Sequence, residues 1–214
     1  MTNRSFAGVC RFFVAAISIT AVAACGTLRT GGPTPPAFYS LEGAMAAAPA
    51  PAPAGAPTLI VNPPHAAAGF DSPHIMYVRE AHKLEYFAHS EWADPPARML
   101  APLLVAALEH TGAFHAVVQS PSAAAGELRL DTEIIRLQHE FQVQPSRVRF
   151  TLRAYLVDDN TRRVLAWREF DTALASASED PYGGVVAANQ AVQTVLAELA
   201  AFCAETARAQ RKAR

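Results

Sequence analysis

Ten residues in the second half of the chain restrict its fold more than any others. From Arg147 to Leu156, the apolar Val148, Phe150, Leu152, Ala154 and Leu156 alternate with Arg147, Arg149, Thr151, Arg153 and Tyr155. A period of two puts every apolar side chain on one face of a β-strand and the rest on the other. Just upstream, Leu128, Leu130, Thr132 and Ile134 share a face until the phase slips at Ile134-Ile135, after which Leu137, His139 and Phe141 take over. A one-residue slip of this kind predicts a β-bulge. Pro145-Ser146 and Asp158-Asp159-Asn160-Thr161 turn the chain, and Val164 to Leu174, with Trp167 and Phe170, returns it. Three such neighbours predict an antiparallel meander with one apolar face, and that face needs a cover.

Two helical patterns supply the cover. Leu100, Leu103, Leu104, Ala107 and Leu108 recur at helical spacing and stop at Gly112. Asp94 is the expected cap and Pro95 suits the first turn. Pro102, inside this helix, should bend it or remove a backbone bond. The second pattern starts at Asp180-Pro181 and carries Val185, Ala188, Val192, Val195, Leu196, Leu199, Phe202 and Cys203 on one stripe, with Asn189, Gln190, Gln193 and Glu198 opposite. Cys203 on that stripe reads as a small buried apolar side chain. Arg208, Arg211, Lys212 and Arg214 make residues 208–214 a basic tail. Shorter strands are expected at Thr58–Val61, in a hairpin of Ile75–Val78 with Leu84–Phe87, and at Phe114–Val118. Trp92, before the first helix, is either a core anchor or a partner contact; aromatics are buried for their area far more often than they serve as contacts. Tyr39 and Tyr77 share that double reading.

The start of the chain is of another kind. Arg4 and Arg11 precede an uncharged apolar run from Phe12 to Ala23, which ends in Val22-Ala23-Ala24-Cys25-Gly26. The run is shorter than the ~20 apolar residues that cross a bilayer, and it fits the core of a secretory signal. The order of basic start, apolar core, small residues and cysteine resembles a bacterial lipoprotein signal. That resemblance implies cleavage between Ala24 and Cys25, with a diacylglycerol and an N-acyl chain on Cys25. The alternative is an ordinary signal peptide cut near Ala24, which leaves Cys25 as a free terminal thiol. Removing residues 1–24 leaves sixteen basic and nineteen acidic residues. This near balance argues against nucleic-acid binding and supplies no polybasic patch for anionic lipid. Cys203 is then unpartnered, so neither a disulfide nor a cysteine metal site is expected. No second long apolar run follows Cys25, so no later segment is expected to cross a membrane. Residues 25–57 are rich in Gly, Pro, Ala and Thr, and Ala44 to Pro57 is nearly pure Ala/Pro, a semi-stiff spacer. Within it, Phe38-Tyr39-Ser40-Leu41 reads as a short strand that docks on the domain.

Catalytic motifs are missing. No HExxH, GxSxG or Gly-rich phosphate loop occurs. His82, Glu85 and His89 would point to different faces of a strand. Arg147, Arg149 and Arg153 share a face that could hold an anion, although a solvated sheet face is commoner. The chain reads as a non-enzyme, with no catalytic residue, no metal and no cofactor beyond the acyl groups on Cys25.

Behind the lipoprotein signal stand, in order, Phe38-Tyr39-Ser40-Leu41, Ile75-Met76-Tyr77-Val78-Arg79, Trp92-Ala93-Asp94-Pro95-Pro96, Leu108 to Phe114, Leu128-Arg129-Leu130, the meander and the last helix. This series resembles the ABC-type transport auxiliary lipoproteins, the group that includes the Pqi-type lipoprotein and accessory lipoproteins of MCE lipid-transport systems. The long Ala/Pro tract and Pro102 depart from the pattern. The resemblance implies an α+β domain over residues 58–207, an antiparallel-rich sheet with two main helices packed on it, behind a lipidated Ala/Pro-rich tether. It implies a non-catalytic component of a system that moves phospholipid or another hydrophobic substrate. The partners would be an MCE-domain protein, the permease and ATPase of an inner-membrane ABC transporter, and a second copy in a homo-oligomer. Gly26 rather than Asp after the cysteine points to the periplasmic face of the outer membrane. The competing reading is an envelope-assembly or secretion-pilot lipoprotein that binds an outer-membrane complex.

Overall fold

The computed structural model describes residues 35–43 and 51–213. The expected leader, the cleavage site at Ala24 and the acylated Cys25 lie outside the described residues. The trunk of the fold is β7 (Leu128–Glu140). Along one flank it pairs antiparallel with β8 (Arg147–Asp158), from Leu128↔Asp158 to Glu140↔Arg147. The predicted bulge stands between Ile134 and Arg136. Beyond β8, β9 (Arg163–Ala175) completes the meander.

The other flank of β7 is shared by three short strands in succession: β2 (Thr58–Val61), β3 (His65–Ala66) and β4 (His74–Val78). All three run parallel to β7. Beside β4 lies β5 (Glu85–Trp92), antiparallel, and beside β5 the docking strand β1 (Ala37–Tyr39), parallel. Beside β2 lies β6 (Ala116–Gln119), parallel. The nine-stranded sheet is therefore mixed, and the expectation of an antiparallel-rich sheet is corrected: five of its eight strand pairings are parallel. One of these pairings follows the crossover through α1 (Pro96–His110), which carries the chain from β5 to β6 and lays β6 parallel to β2. The period-two pattern says which face a side chain takes but not which strand lies alongside. The hairpins were therefore readable and the crossovers were not.

Both helices cover the inner face. α1 buries Ala97, Leu100, Ala101, Leu104 and Leu108. Its start departs from expectation: Pro95 occupies the cap position, Pro96 opens the helix, and no side chain caps it. The Asp94 carboxylate instead receives a guanidinium N–H of Arg98 at 3.3 Å. Two prolines pre-set φ, and Pro96 lacks the N–H a cap would satisfy. Pro102 sits on the exposed side of α1, so water can reach the carbonyl it leaves unpaired. Gly112 ends the helix region at φ +57°, a conformation glycine adopts without a Cβ clash.

α2 (Pro181–Ala213) opens as expected, with the Gly183 N–H donating to the Asp180 carboxylate at 2.7 Å. It packs on β8, β9 and α1. Ala191, Val192, Val195, Leu199 and Cys203 are fully buried, and the Phe202 ring meets Phe170 of β9 edge-on. α2 is long and apolar enough to cross a membrane by length and composition, which the sequence reading did not anticipate because alanine supplies much of its apolar character. Half of its most apolar stretch is buried against the sheet, the pattern of a core helix. The helix continues through Arg208, Arg211 and Lys212, the described part of the expected basic tail. Cys203 is buried, and desolvation pushes its thiol up to about 12.

Candidate functional site

The residues singled out from the sequence do not converge. Trp92 ends β5 and is 3% exposed; it is a core anchor that lines a small crevice with Ile75, Leu137, Val148 and Ala188. Tyr39, opposite Trp92 in the β1–β5 register, is half-buried, with its ring 6.4 Å from Tyr182 at the start of α2. Tyr77 lies elsewhere on β4, in a ring cluster with Phe87 and Phe141, and the Arg79 guanidinium stands 4.9 Å over its face.

A histidine and a serine meet in the interior beside the start of α2. His139 Nε2 is 2.8 Å from Ser146 Oγ. The serine is 0% exposed, and its backbone N–H donates to the Glu179 carboxylate at 2.8 Å. His139 Nδ1 has no hydrogen-bond partner and faces Gly184 in the first turn of α2, where a Cβ would come within 2.5 Å of it. A nucleophile needs a reachable oxygen and a base oriented by a third group, and this pair has neither. It instead joins the β7–β8 turn to the start of α2. Burial lowers the His139 pKa below its ordinary value, against the opposing pull of Glu179 and Asp180.

The outer sheet face is a ladder of paired charges. Arg147 reaches Glu140 at 2.8 Å, and Arg149 lies between Glu140 and Asp171. Arg153 lies between Glu133 and Glu169, and Arg129 pairs with Asp131 and Asp159. The arginines that could have bound an anion are thus each matched by carboxylates across the strands, where a free anion would have to compete. His82 sits in the β4–β5 turn, while Glu85 and His89 lie on β5. Among the described residues no three His, Cys, Asp or Glu side chains gather into a metal-binding group.

Sequence reasoning placed Asn189 and Gln193 on the polar side of α2 without a role. The structure gives them one. The Glu42 N–H donates to Asn189 Oδ1 at 2.6 Å, and Asn189 Nδ2 donates to the Ser40 carbonyl at 3.2 Å. Gln193 Nε2 donates to the Glu42 carbonyl at 3.4 Å. Together they clasp the segment that follows β1. Their spacing of four, on one side of a helix, is the signal that could have found them.

The family described as the ABC-type transport auxiliary lipoprotein component matches residues 39–200, from β1 well into α2. The crystal structure of a protein from Xanthomonas campestris is similar at 27% identity and a TM-score of 0.73, covering 82% of this chain and 99% of that one. The crystal structure of an uncharacterized protein shares the fold at 15% identity and a TM-score of 0.62, covering 79% and 99%. A hypothetical protein from Chlamydia trachomatis does so at 10% identity and a TM-score of 0.50, covering 71% and 98%. No curated protein matches the sequence.

Proposed function

Because the chain belongs to the ABC-type transport auxiliary lipoprotein family, we propose that it is a non-catalytic, outer-membrane-anchored subunit of an ABC/MCE-type system that moves phospholipid or another hydrophobic substrate. On this reading the leader is cut behind Ala24, and Cys25 carries the diacylglycerol and N-acyl chain. The observation that carries the proposal is the span of the match: from Tyr39, the last residue of the docking strand, to Ala200 it takes in β2 to β9, α1 and most of α2. The buried His139–Ser146 pair and the self-neutralised outer face are consistent with a subunit that works by contact. Gly26 in place of aspartate supports export to the outer membrane. Partners on this reading are an MCE-domain protein and, through it, the permease and ATPase.

The test has two readouts on one set of strains. The native chain should incorporate labelled palmitate and fractionate with the outer membrane, and Cys25→Ser should abolish the incorporation. Crosslinking in intact envelopes should recover an MCE-domain protein. Recovery of a secretin or barrel-assembly component in its place would overturn the transport reading.

A further inference from the structure

The β1 edge of the sheet is unusually aromatic for a surface strand. Phe38 is 64% exposed and Tyr182 is 63% exposed. In the β1–β5 register Phe38 lies opposite Glu91, on the outer face, while Tyr39 lies opposite Trp92, on the inner face. The Tyr39 and Tyr182 rings are neighbours. Aromatic rings therefore project from both sides of one short edge strand. On the same outer face the exposed Tyr86 ring stacks on His74 at 4.2 Å, and His74 lies 3.8 Å from Glu91.

The chain itself says what lies near this edge. β1 is the first described strand, and only the ten residues 26–35 stand between Cys25 and Pro36. At ~3.3–3.6 Å per residue even a fully extended segment spans at most about 40 Å. We infer that the β1 edge, through Phe38, Tyr39 and Tyr182, rests on the headgroup region of the bilayer that holds the acylated Cys25. This rests on the lipoprotein reading above. Tyrosine suits the position because its ring enters the interface while its hydroxyl stays hydrated. The unmatched charges next to it in sequence or register are acidic: Glu42 follows β1, Glu91 lies opposite Phe38, and Asp180 precedes Tyr182, while Arg98 is paired with Asp94. The surface is therefore suited to zwitterionic lipid rather than to an anionic one. The clasp of Asn189 and Gln193 on residues 40–42 fixes this edge to α2, so contact at β1 orients the whole domain.

The experiment uses the full chain, expressed with its own leader in a bacterium that acylates lipoproteins, labelled with palmitate and reconstituted in phosphatidylcholine vesicles. The wild type carries a buried Trp92 and, on β9, a 61% exposed Trp167. A Phe38→Trp/Trp167→Phe variant moves the exposed indole to the β1 edge without touching the core. When brominated phosphatidylcholine replaces the ordinary lipid, the variant should lose about twice as large a fraction of its emission as the wild type, because the new indole sits at headgroup depth. Melting temperatures of the two proteins should agree. Palmitate incorporation with equal quenching in both proteins would overturn the docking alone. Failure to incorporate palmitate would overturn the lipoprotein reading and the docking together.

Discussion

Replacing Trp92 by alanine separates its two readings. The side chain is 3% exposed and packs among Ile75, Leu137, Val148 and Ala188, where the end of β5 meets β7, β8 and α2. A tryptophan buries about 150–250 Å², which at ~25 cal/mol per Å² corresponds to about 4–6 kcal/mol of transfer free energy. Measured truncations of this kind cost about 3–5 kcal/mol, because the surroundings collapse only partly. About 4 kcal/mol is therefore expected. A domain of this size loses roughly 2–4 °C per kcal/mol, so the melting temperature should fall by about 8–16 °C. Urea titration of the unacylated chain from residue 25, carrying Cys25→Ser and followed by circular dichroism, should show a lower midpoint at an unchanged m-value. Trp167→Ala is the control: that ring is 61% exposed and only stacks on Tyr155, so the loss should stay near 1 kcal/mol or below. A Trp92→Ala protein destabilised by less than about 1 kcal/mol would refute the core assignment. If the same protein also failed to recover its envelope partner, Trp92 would be a contact residue.

Four further outcomes are expected. Gly184→Ala should destabilise by about 1–3 kcal/mol, since its Cβ would meet His139 Nδ1 at 2.5 Å, and His139→Ala in the same chain should recover part of the loss in a double-mutant cycle. The His139 pKa is lowered in the fold by burial, so the unfolded chain takes the proton first. Stability should therefore be full above the ordinary value of 6.5 and fall as pH drops below it. The slope from this one proton is at most ~1.4 kcal/mol per pH unit, read from urea midpoints, and a flat profile between pH 7.5 and 5.5 would contradict it. The Cys203 thiol, held near 12 by burial, should ignore a thiol reagent in the native protein and react once urea unfolds it. Asn189→Ala removes two hydrogen bonds to residues 40–42, and amide exchange there should accelerate while β8 stays protected.

How much of this was legible follows from what each signal encodes. The alternation from Arg147 to Leu156 and the slip at Ile134-Ile135 located the meander and its bulge, because burial on one face leaves a period in the sequence. Cap chemistry located the start of α2 at Asp180 but misassigned Asp94, where two prolines made a side-chain cap unnecessary. The parallel half of the sheet was illegible because β2, β3 and β4 are two to five residues long and their neighbour on β7 lies more than sixty positions away. Nothing within so short a strand encodes the direction of a partner that remote. The outer-face arginines had been open to two readings. The carboxylates on β7 and β9 that decide between them become neighbours only through register.

The clasp on β1 gives the tether a mechanical meaning. A three-residue parallel strand at a sheet edge contributes few ladder bonds, so β1 alone would fray readily. Here the following residues are held from the side by Asn189 and Gln193, on a helix whose opposite stripe is locked into the core by Ala191, Val195 and Leu199. Leu41, at 6% exposure, adds an apolar contact between those polar ones. A load applied at Pro36 meets the β1–β5 ladder first, and the clasp behind it shares that load with α2. On the lipoprotein reading proposed above, the clasp would tie the anchored end of the domain to its core helix.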